Sequence, residues 1–250
     1  MSKIEIYIAT HKKTKMPNNK IYYPLHVGSK GKNDFGYVKD STGDNISEKN
    51  PNFCELTGLY WIWKNSNADI VGLVHYRRYF YKNVFCNKKN ILNESTINKF
   101  LNNYDIIVAP KGYTWGSTVK TKYIENHVED DLLKCEKVLK EKYPEYSHAF
   151  DKVLNGNCYM PFNMMIAKKQ IFDEYSKWLF DILFELEKIV DVEDGRSNYD
   201  KRVFGFLSER LLYVWLLKNN QYKVKELFVM NKEENTFRQR CEYIIKKIIK

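Results

Sequence analysis

The chain has 250 residues, enough for one large domain with its own core, and carries 41 Lys and Arg against 31 Asp and Glu, a net charge of +10. No apolar run approaches the roughly 20 residues a membrane-spanning helix needs, and the five cysteines (Cys54, Cys86, Cys135, Cys158, Cys241) lack any CxxC or Cys/His spacing, which argues against a disulfide framework or a zinc module. The basic balance favours an anionic partner, whether nucleotide, nucleic acid or membrane surface. Free thiols fit a reducing cytoplasm, and Met1, Ser2 and Lys3 lead straight into a strand-like segment with no signal peptide. Aromatics make up 15% of the chain, with 19 tyrosines, a composition suited to a groove for a flat or sugar-like ligand.

Residues 3–10 (KIEIYIAT) alternate and are rich in β-branched side chains, which predicts a first buried strand ending in Thr10, His11 and Lys12. Residues 14–52 lack sustained periodicity. Residues 22–27 (YYPLHV) read as a short strand, and residues 28–32 (GSKGK) offer backbone amides to an anion without the spacing of a P-loop. A segment this long with so little regular structure is usually functional. Residues 54–64 predict an aromatic helix, with Trp61 and Trp63 leaving on different faces and one of them in the core. Residues 70–74 are continuously apolar, as in a central parallel strand, and run into His75, Tyr76, Arg77 and Arg78. A helix is expected over 95–102, a strand over 104–109 and a loop over 111–121. A long helix over 123–143 carries His127, Asp130 and Asp131 in its early turns, and a short one follows over 148–154. Residues 159–167 (YMPFNMMIA) predict a buried strand with Asn163 in its middle. An apolar helix spans 170–190, a polar loop 191–200, an aromatic segment opening at 202 becomes helical from about Ser208, and a last strand covers 222–230. The tail over 237–250 predicts a basic amphipathic helix, with Ile244, Ile245, Ile248 and Ile249 against Arg238, Arg240, Lys246, Lys247 and Lys250. That pattern suits docking on an anionic leaflet or packing on the domain. Alternating strands and helices predict an α/β sandwich with a mainly parallel sheet.

Three strand ends in this reading are basic: Thr10–Lys12, His75–Arg78 and Lys111. A doubly wound sheet delivers such ends to one crevice, and adjacent guanidinium groups suit a diphosphate through their bidentate forks. Ser208 as a helix cap would place Glu209 in a first turn, where a carboxylate is stabilised and can serve as a base. His127, Asp130 and Asp131 share one face of the expected helix, a set that could hold a metal, orient a hydroxyl or act as a base. Asn163, if buried, must be hydrogen-bonded.

The stretches NISEKNPNFCELTGLYWIWKN and DIVGLVHYRRYF resemble a bacterial family of capsular and exopolysaccharide biosynthesis proteins, long catalogued as a domain of unknown function and regarded as glycosyltransferases. Supporting matches are H…DL at 127–132, YPEY at 143–146, NMMI at 163–166, FDEYSKWLFDILFELE at 172–187 and RVFGFLSERLLYVWL at 202–216, so the resemblance spans residues 3–230. It implies a GT-A-like, Rossmann-type α/β sandwich with a mainly parallel central sheet and a helical C-terminal part. Residues 1–230 would form the transferase domain and 231–250 the basic amphipathic helix. The implied activity is transfer of a hexose, with galactose one candidate, from a UDP-sugar to a lipid-linked or oligosaccharide acceptor, with inversion. Capsule, exopolysaccharide or other surface-glycan synthesis is the setting, in the cytoplasm or at the inner membrane face. Donor contacts then fall to Thr10, His11, Lys12, Asn52, His75, Tyr76, Arg77, Arg78 and Lys111. Glu209, or alternatively Asp131, would be the base, and His127, Asn163 and Arg210 would touch acceptor or sugar. Many GT-A enzymes hold Mn or Mg with a DxD motif at a central strand end. Here that place holds His75, Tyr76, Arg77 and Arg78, so the cofactor stays unassigned. A basic nucleic-acid-binding module and a catalytically silent scaffold of an assembly complex are the alternatives. The cations do not form an aromatic-interleaved nucleic-acid face, so no nucleic-acid partner is expected.

Overall fold

The structure, a computed structural model, describes residues 2–85, 87, 90–193 and 195–248, with side chains up to residue 245. Met1, Cys86 and the Lys246, Lys247, Ile248, Ile249 and Lys250 side chains of the expected amphipathic tail lie outside the described residues.

Strand β1 (Ile4–Thr10) is buried along its whole length. Its side chains divide between two cores, Ile4, Ile6 and Ile8 on one face and Tyr7 and Ala9 on the other, as the period-two alternation of a strand covered on both faces requires. After it come β2 (Tyr22–His26), β3 (Val38–Lys39), the short α1 (Asn50–Phe53), α2 (Leu56–Asn65), β4 (Ile70–His75) and β5 (Arg78–Phe80). The chain continues through α3 (Glu94–Leu101), β6 (Ile106–Val108), β7 (Gly112–Tyr113), α4 (Val119–Asn126), α5 (Glu129–Lys142), α6 (Ser147–Asn155), β8 (Cys158–Tyr159), β9 (Met165–Lys168) and α7 (Lys169–Glu187). It closes with α8 (Val203–Lys218), β10 (Val224–Glu226), β11 (Val229–Asn231) and α9 (Thr236–Ile248).

The main sheet runs β10-β6-β9-β4-β1-β2-β3. The pairings β1–β2, β1–β4, β2–β3 and β6–β10 are parallel, β9 runs against its neighbours β4 and β6, and β5 and β11 form an antiparallel ribbon continuing from β4. This is the expected α/β sandwich with a mainly parallel sheet. Helices α2, α5, α6, α7 and α8 cover one face, where Leu59, Ile62, Leu179, Leu183, Leu207 and Leu211 are fully buried. The other face is covered by α3 and the β5–β11 ribbon through Ile97, Tyr79, Phe80 and Met230. Helix α9 rests on β11, with Tyr243 edge-on to Phe228 and the Gln239 amide bonded to the Asn231 backbone, and leaves Phe237 and Ile245 exposed. Of the tryptophan pair, Trp61 is the core residue, edge-on to Tyr7, while Trp63 is half-buried.

Local departures from the sequence reading each have a cause. The helix expected over 123–143 breaks at His127, whose extended backbone (φ −143°, ψ 174°) lets its ring stack on Phe206 at 4.1 Å. The acidic run Glu129–Asp131 then opens α5, where the helix dipole favours negative charge. His127 and Asp131 therefore do not share a helix face. The strand expected over 159–167 is cut by a turn with left-handed Phe162 (φ 78°) and Asn163 (φ 50°). Helix α8 starts at Val203, because Val203, Phe204, Leu207 and Leu211 bury at helical spacing. Ser208 is thus interior, its hydroxyl donating to Gly205 O at 2.8 Å, and Glu209 lies beyond the first turn. The strand expected over 222–230 splits into β10, which pairs with β6, and β11, which pairs with β5 at the side of the main strand path.

Candidate active site

Because β1 and β4 pair in parallel, with Ala9 opposite His75, their carboxyl ends open side by side. Between them lies a cleft of about 650 Å³. One wall carries Thr10 and His11 from the end of β1, His75 from the end of β4, Tyr76 and Arg77 from the turn after it and Arg78 from the start of β5. The opposite wall carries Asn198, Lys201 and Arg202 from the approach to α8. Asn50, Pro51, Cys54 and Glu55 come from the α1–α2 junction, and Phe162 and Glu209 complete the lining.

The cations are arranged to attract an anion. Arg78 lies over the Phe162 ring at 4.5 Å; burial first, then the neighbouring charge of Arg77, pushes its pKa below the usual arginine range. Arg77 lies over Tyr76 at 5.0 Å and pairs with Glu233 at 3.2 Å. Lys201 and Arg202 stand at the N-terminal end of α8, where the macrodipole repels cations and welcomes a bound anion. His11, edge-on to Tyr76, has its pKa lowered by burial and then by Lys12 and Arg77. His75 is lowered by burial first, with Glu55 opposing, so neither imidazole adds charge at neutral pH.

Against these cations stand two carboxylates, Glu55 and Glu209. Burial, opposed by Arg210 and the Phe162 amide, pushes Glu209 up to about 6, a range suited to a base near neutral pH. Its Oε1 accepts from Phe162 N at 2.8 Å, and its Oε2 accepts from Arg210 at 3.2 Å. Glu55 Oε1 accepts from Asn163 Nδ2 at 2.8 Å.

Strain and unmet hydrogen bonding concentrate here. Among the described residues, the non-glycine residues with positive φ are Cys54, Phe162 and Asn163. Cys54 and Phe162 line the cleft and Asn163 directly follows. Such conformations cost on the order of 1–3 kcal/mol each and gather at functional sites. His75 Nε2 and Asn163 Oδ1 are buried without a protein partner. The Cys54 thiol accepts from Arg202 Nε at 3.2 Å, and burial pushes its pKa up to about 11, so it is not a thiolate.

Thr10, His11, His75, Tyr76, Arg77, Arg78 and Glu209 are thus brought together, and other expected site residues are not. Lys12 lies over Tyr76 at 5.1 Å outside the lining. The Asn52 amide donates to the Lys201 carbonyl at 3.0 Å, supporting the wall from behind. Lys111 lines a neighbouring depression and lies 3.8 Å from Glu226. Asp131 is buried, held bidentately by Arg196 at 2.6 and 2.7 Å, and is not part of the cleft lining. His127 is packed among Tyr123, Tyr199 and Phe206, and burial pushes it down to about 4. Arg210 is buried beneath Glu209 between the Tyr123 and Tyr159 rings, and Asn163 holds Glu55. Sequence reasoning missed Glu55, Cys54, Asn50, Lys201 and Arg202. A Lys-Arg pair opening an apolar helix was the available signal, hidden because the helix start was placed too late.

Residues 28–32 do cradle an anion, but it is the chain's own. Gly28 N and Ser29 N donate to the Asp40 carboxylate at 2.7 and 3.0 Å, joined by the hydroxyls of Ser29, Ser47 and Thr57. Gly28 has φ +61°, and a Cβ there would fall 2.4 Å from Asn50 Oδ1, so this loop also backs the cleft wall.

Among the described residues no group of three or more His, Cys, Asp or Glu side chains is placed to hold a metal ion. The cationic donor set where a DxD motif would stand does not fit a divalent cation.

A mainly parallel sheet with the reversed strand β9 in its middle, opening at its carboxyl edge into a cationic cleft with carboxylates, defines a GT-A-like fold. The DUF4422 family, described as a domain of unknown function, matches residues 5–221, and the chain belongs to it. The apo structure of the bifunctional glycosyltransferase WbbM is similar, with 33% identity and a TM-score of 0.85 over 93% of this chain. The match takes in 46% of the WbbM chain, so this chain spans less than half of its length. No curated protein matches.

Proposed function

We propose that the chain is a glycosyltransferase that moves a hexosyl group, galactose being one candidate, from a UDP-sugar to a lipid-linked or oligosaccharide acceptor of a bacterial surface glycan. The observation that carries this reading is the cleft itself: cations from the β4 end and the α8 start face a base-range carboxylate in a fold similar to a glycosyltransferase. Arg78, Arg77, Lys201 and Arg202 hold the donor diphosphate, with His11 and Tyr76 shaping the wall. The acceptor hydroxyl gives its proton to the Glu209 carboxylate as its oxygen bonds to the sugar anomeric carbon. The bond from that carbon to the diphosphate breaks, and the electron pair leaves on the diphosphate, whose growing charge the cations stabilise. One displacement with one base inverts the anomeric centre. Arg210, bonded to Glu209, opposes the rise of its pKa. Residues 1–230 carry this chemistry, and the exposed Phe237 and Ile245 of α9 would rest on an anionic inner leaflet that supplies the acceptor.

The test is nucleotide release from a panel of nucleotide sugars with glycolipid extracts as acceptor. One UDP-hexose is turned over, and Glu209→Gln slows it by about 10²–10⁴-fold while UDP affinity stays within about twofold of wild type. Absence of nucleotide binding by the wild-type chain would overturn the reading.

A further inference from the structure

The turn that interrupts the expected strand has a role beyond connecting β8 to β9. Phe162 N holds Glu209 Oε1 at 2.8 Å, and the next residue, Asn163, holds Glu55 Oε1 at 2.8 Å. Both residues are left-handed, with φ 78° and 50°, and that backbone aims an amide and a side chain of adjacent residues at the two carboxylates. The Asn163 side chain cannot swing away, because its Nδ2 also donates to Gly205 O at 3.1 Å within α8. The His75 imidazole lines the same cleft, and its Nε2 is buried without a protein partner. Glu55 has no ion pair among the described residues, so after Asn163 its acceptor capacity remains open to the cleft. A carboxylate with free lone pairs in the cleft wall is an acceptor matched to a sugar hydroxyl.

We propose that Glu55 is a sugar-binding residue that accepts hydrogen bonds from hydroxyls of the donor hexose, with Asn163 as the positioning residue that sets it. This rests on the donor-cleft reading above, with Glu209 kept as the base. The left-handed turn thus couples two jobs, aiming the base and gripping the sugar, and the strain it carries is spent on both.

The experiment compares binding of UDP with binding of UDP-galactose and UDP-glucose by titration calorimetry. Wild type binds at least one UDP-hexose more tightly than UDP. Glu55→Ala and Asn163→Asp each lower that hexose-dependent gain by about 10- to 100-fold, the range for losing hydrogen bonds to a charged group, and leave UDP affinity within about twofold. Asn163→Gly tolerates the same backbone, lacks the amide and behaves like Asn163→Asp; Glu55→Gln, which keeps the shape, recovers part of the loss. Equal binding of UDP and both UDP-hexoses by wild type overturns the proposal, as does an unchanged gain in Glu55→Ala. A parallel loss of UDP affinity in all variants overturns it too, since that marks a merely structural role. Failure of sugar transfer with every acceptor would strike the transferase reading while leaving the hexose-dependent gain measurable.

Discussion

Two segments at the carboxyl edge of the sheet have the makings of an anion site. After β2, the amides of Gly28 and Ser29 converge on one point; after β4, Arg77 and Arg78 stand at the mouth of a cleft. The chain fills the first with Asp40, a fully buried carboxylate that also takes hydroxyl bonds from Ser47 and Thr57. In the second, among the described residues, only Arg77 is given an acid, Glu233, while Arg78 lies on an aromatic ring with no ion pair, its charge pressed by burial. Convergent donors alone therefore do not identify a ligand site. What separates the two is whether the chain supplies its own acceptor. The same distinction sorts the acids: Asp131 is closed off by Arg196, whereas Glu55 and Glu209 face the cleft.

The sharpest way to break this comparison is to empty the closed site. Asp40→Ala leaves buried amides and hydroxyls without an acceptor, and a loss of about 3–5 kcal/mol in urea-unfolding stability is expected. Nucleotide affinity of the folded protein should stay within about threefold. A fall in UDP affinity with stability intact would mean that the loop, and not the strand end, is the anion site.

The open site should respond in the opposite sense. Arg78→Ala is expected to weaken UDP binding by about 10- to 100-fold, the worth of a charge-assisted contact, while unfolding free energy changes by under about 1 kcal/mol. Arg77→Ala should cost less, because Glu233 already neutralises part of its charge. Equal UDP affinity in Arg78→Ala and wild type would remove the guanidinium from the diphosphate site.

The contrast also explains what could be read from residues alone. The buried strands at 4–10 and 70–75 were legible because both faces of each are covered, so apolar content was nearly continuous. The polar ends of those strands were legible for the same reason, since polarity there breaks a strong pattern. Asp131 misled because a short acidic run at a helix start looks alike whether it is solvated, catalytic or, as here, locked to an arginine 65 residues away. Glu55 escaped notice because it sits in a short connection between α1 and α2 whose function depends on Asn163, a contact 108 residues distant. The turn at 162–163 was invisible because PFNMMIA satisfies strand periodicity. Its left-handed backbone follows from the tertiary demand of two glutamates.

The smallest expected effect tests whether the open site carries a cost in stability. Burial raises Glu209 from 4.5 to about 6, so the folded protein binds this proton more tightly than the unfolded chain does. Its contribution to stability is then fully present below pH 4.5 and is lost as pH rises through about 6, at most about 2 kcal/mol by linkage. Glu209→Gln removes the titrating group. At pH 7 the variant should be more stable than wild type by up to about 2 kcal/mol, and the difference should shrink towards zero near pH 4. Unfolding curves at a series of pH values measure this directly. A difference that stays flat with pH would mean that Glu209 is as well solvated as a surface glutamate, and its fitness as a base at neutral pH would go with it. A difference that follows the expected sign would show that the cleft keeps an acid in place at the expense of the fold, whereas Asp40, fully bonded, serves the fold alone.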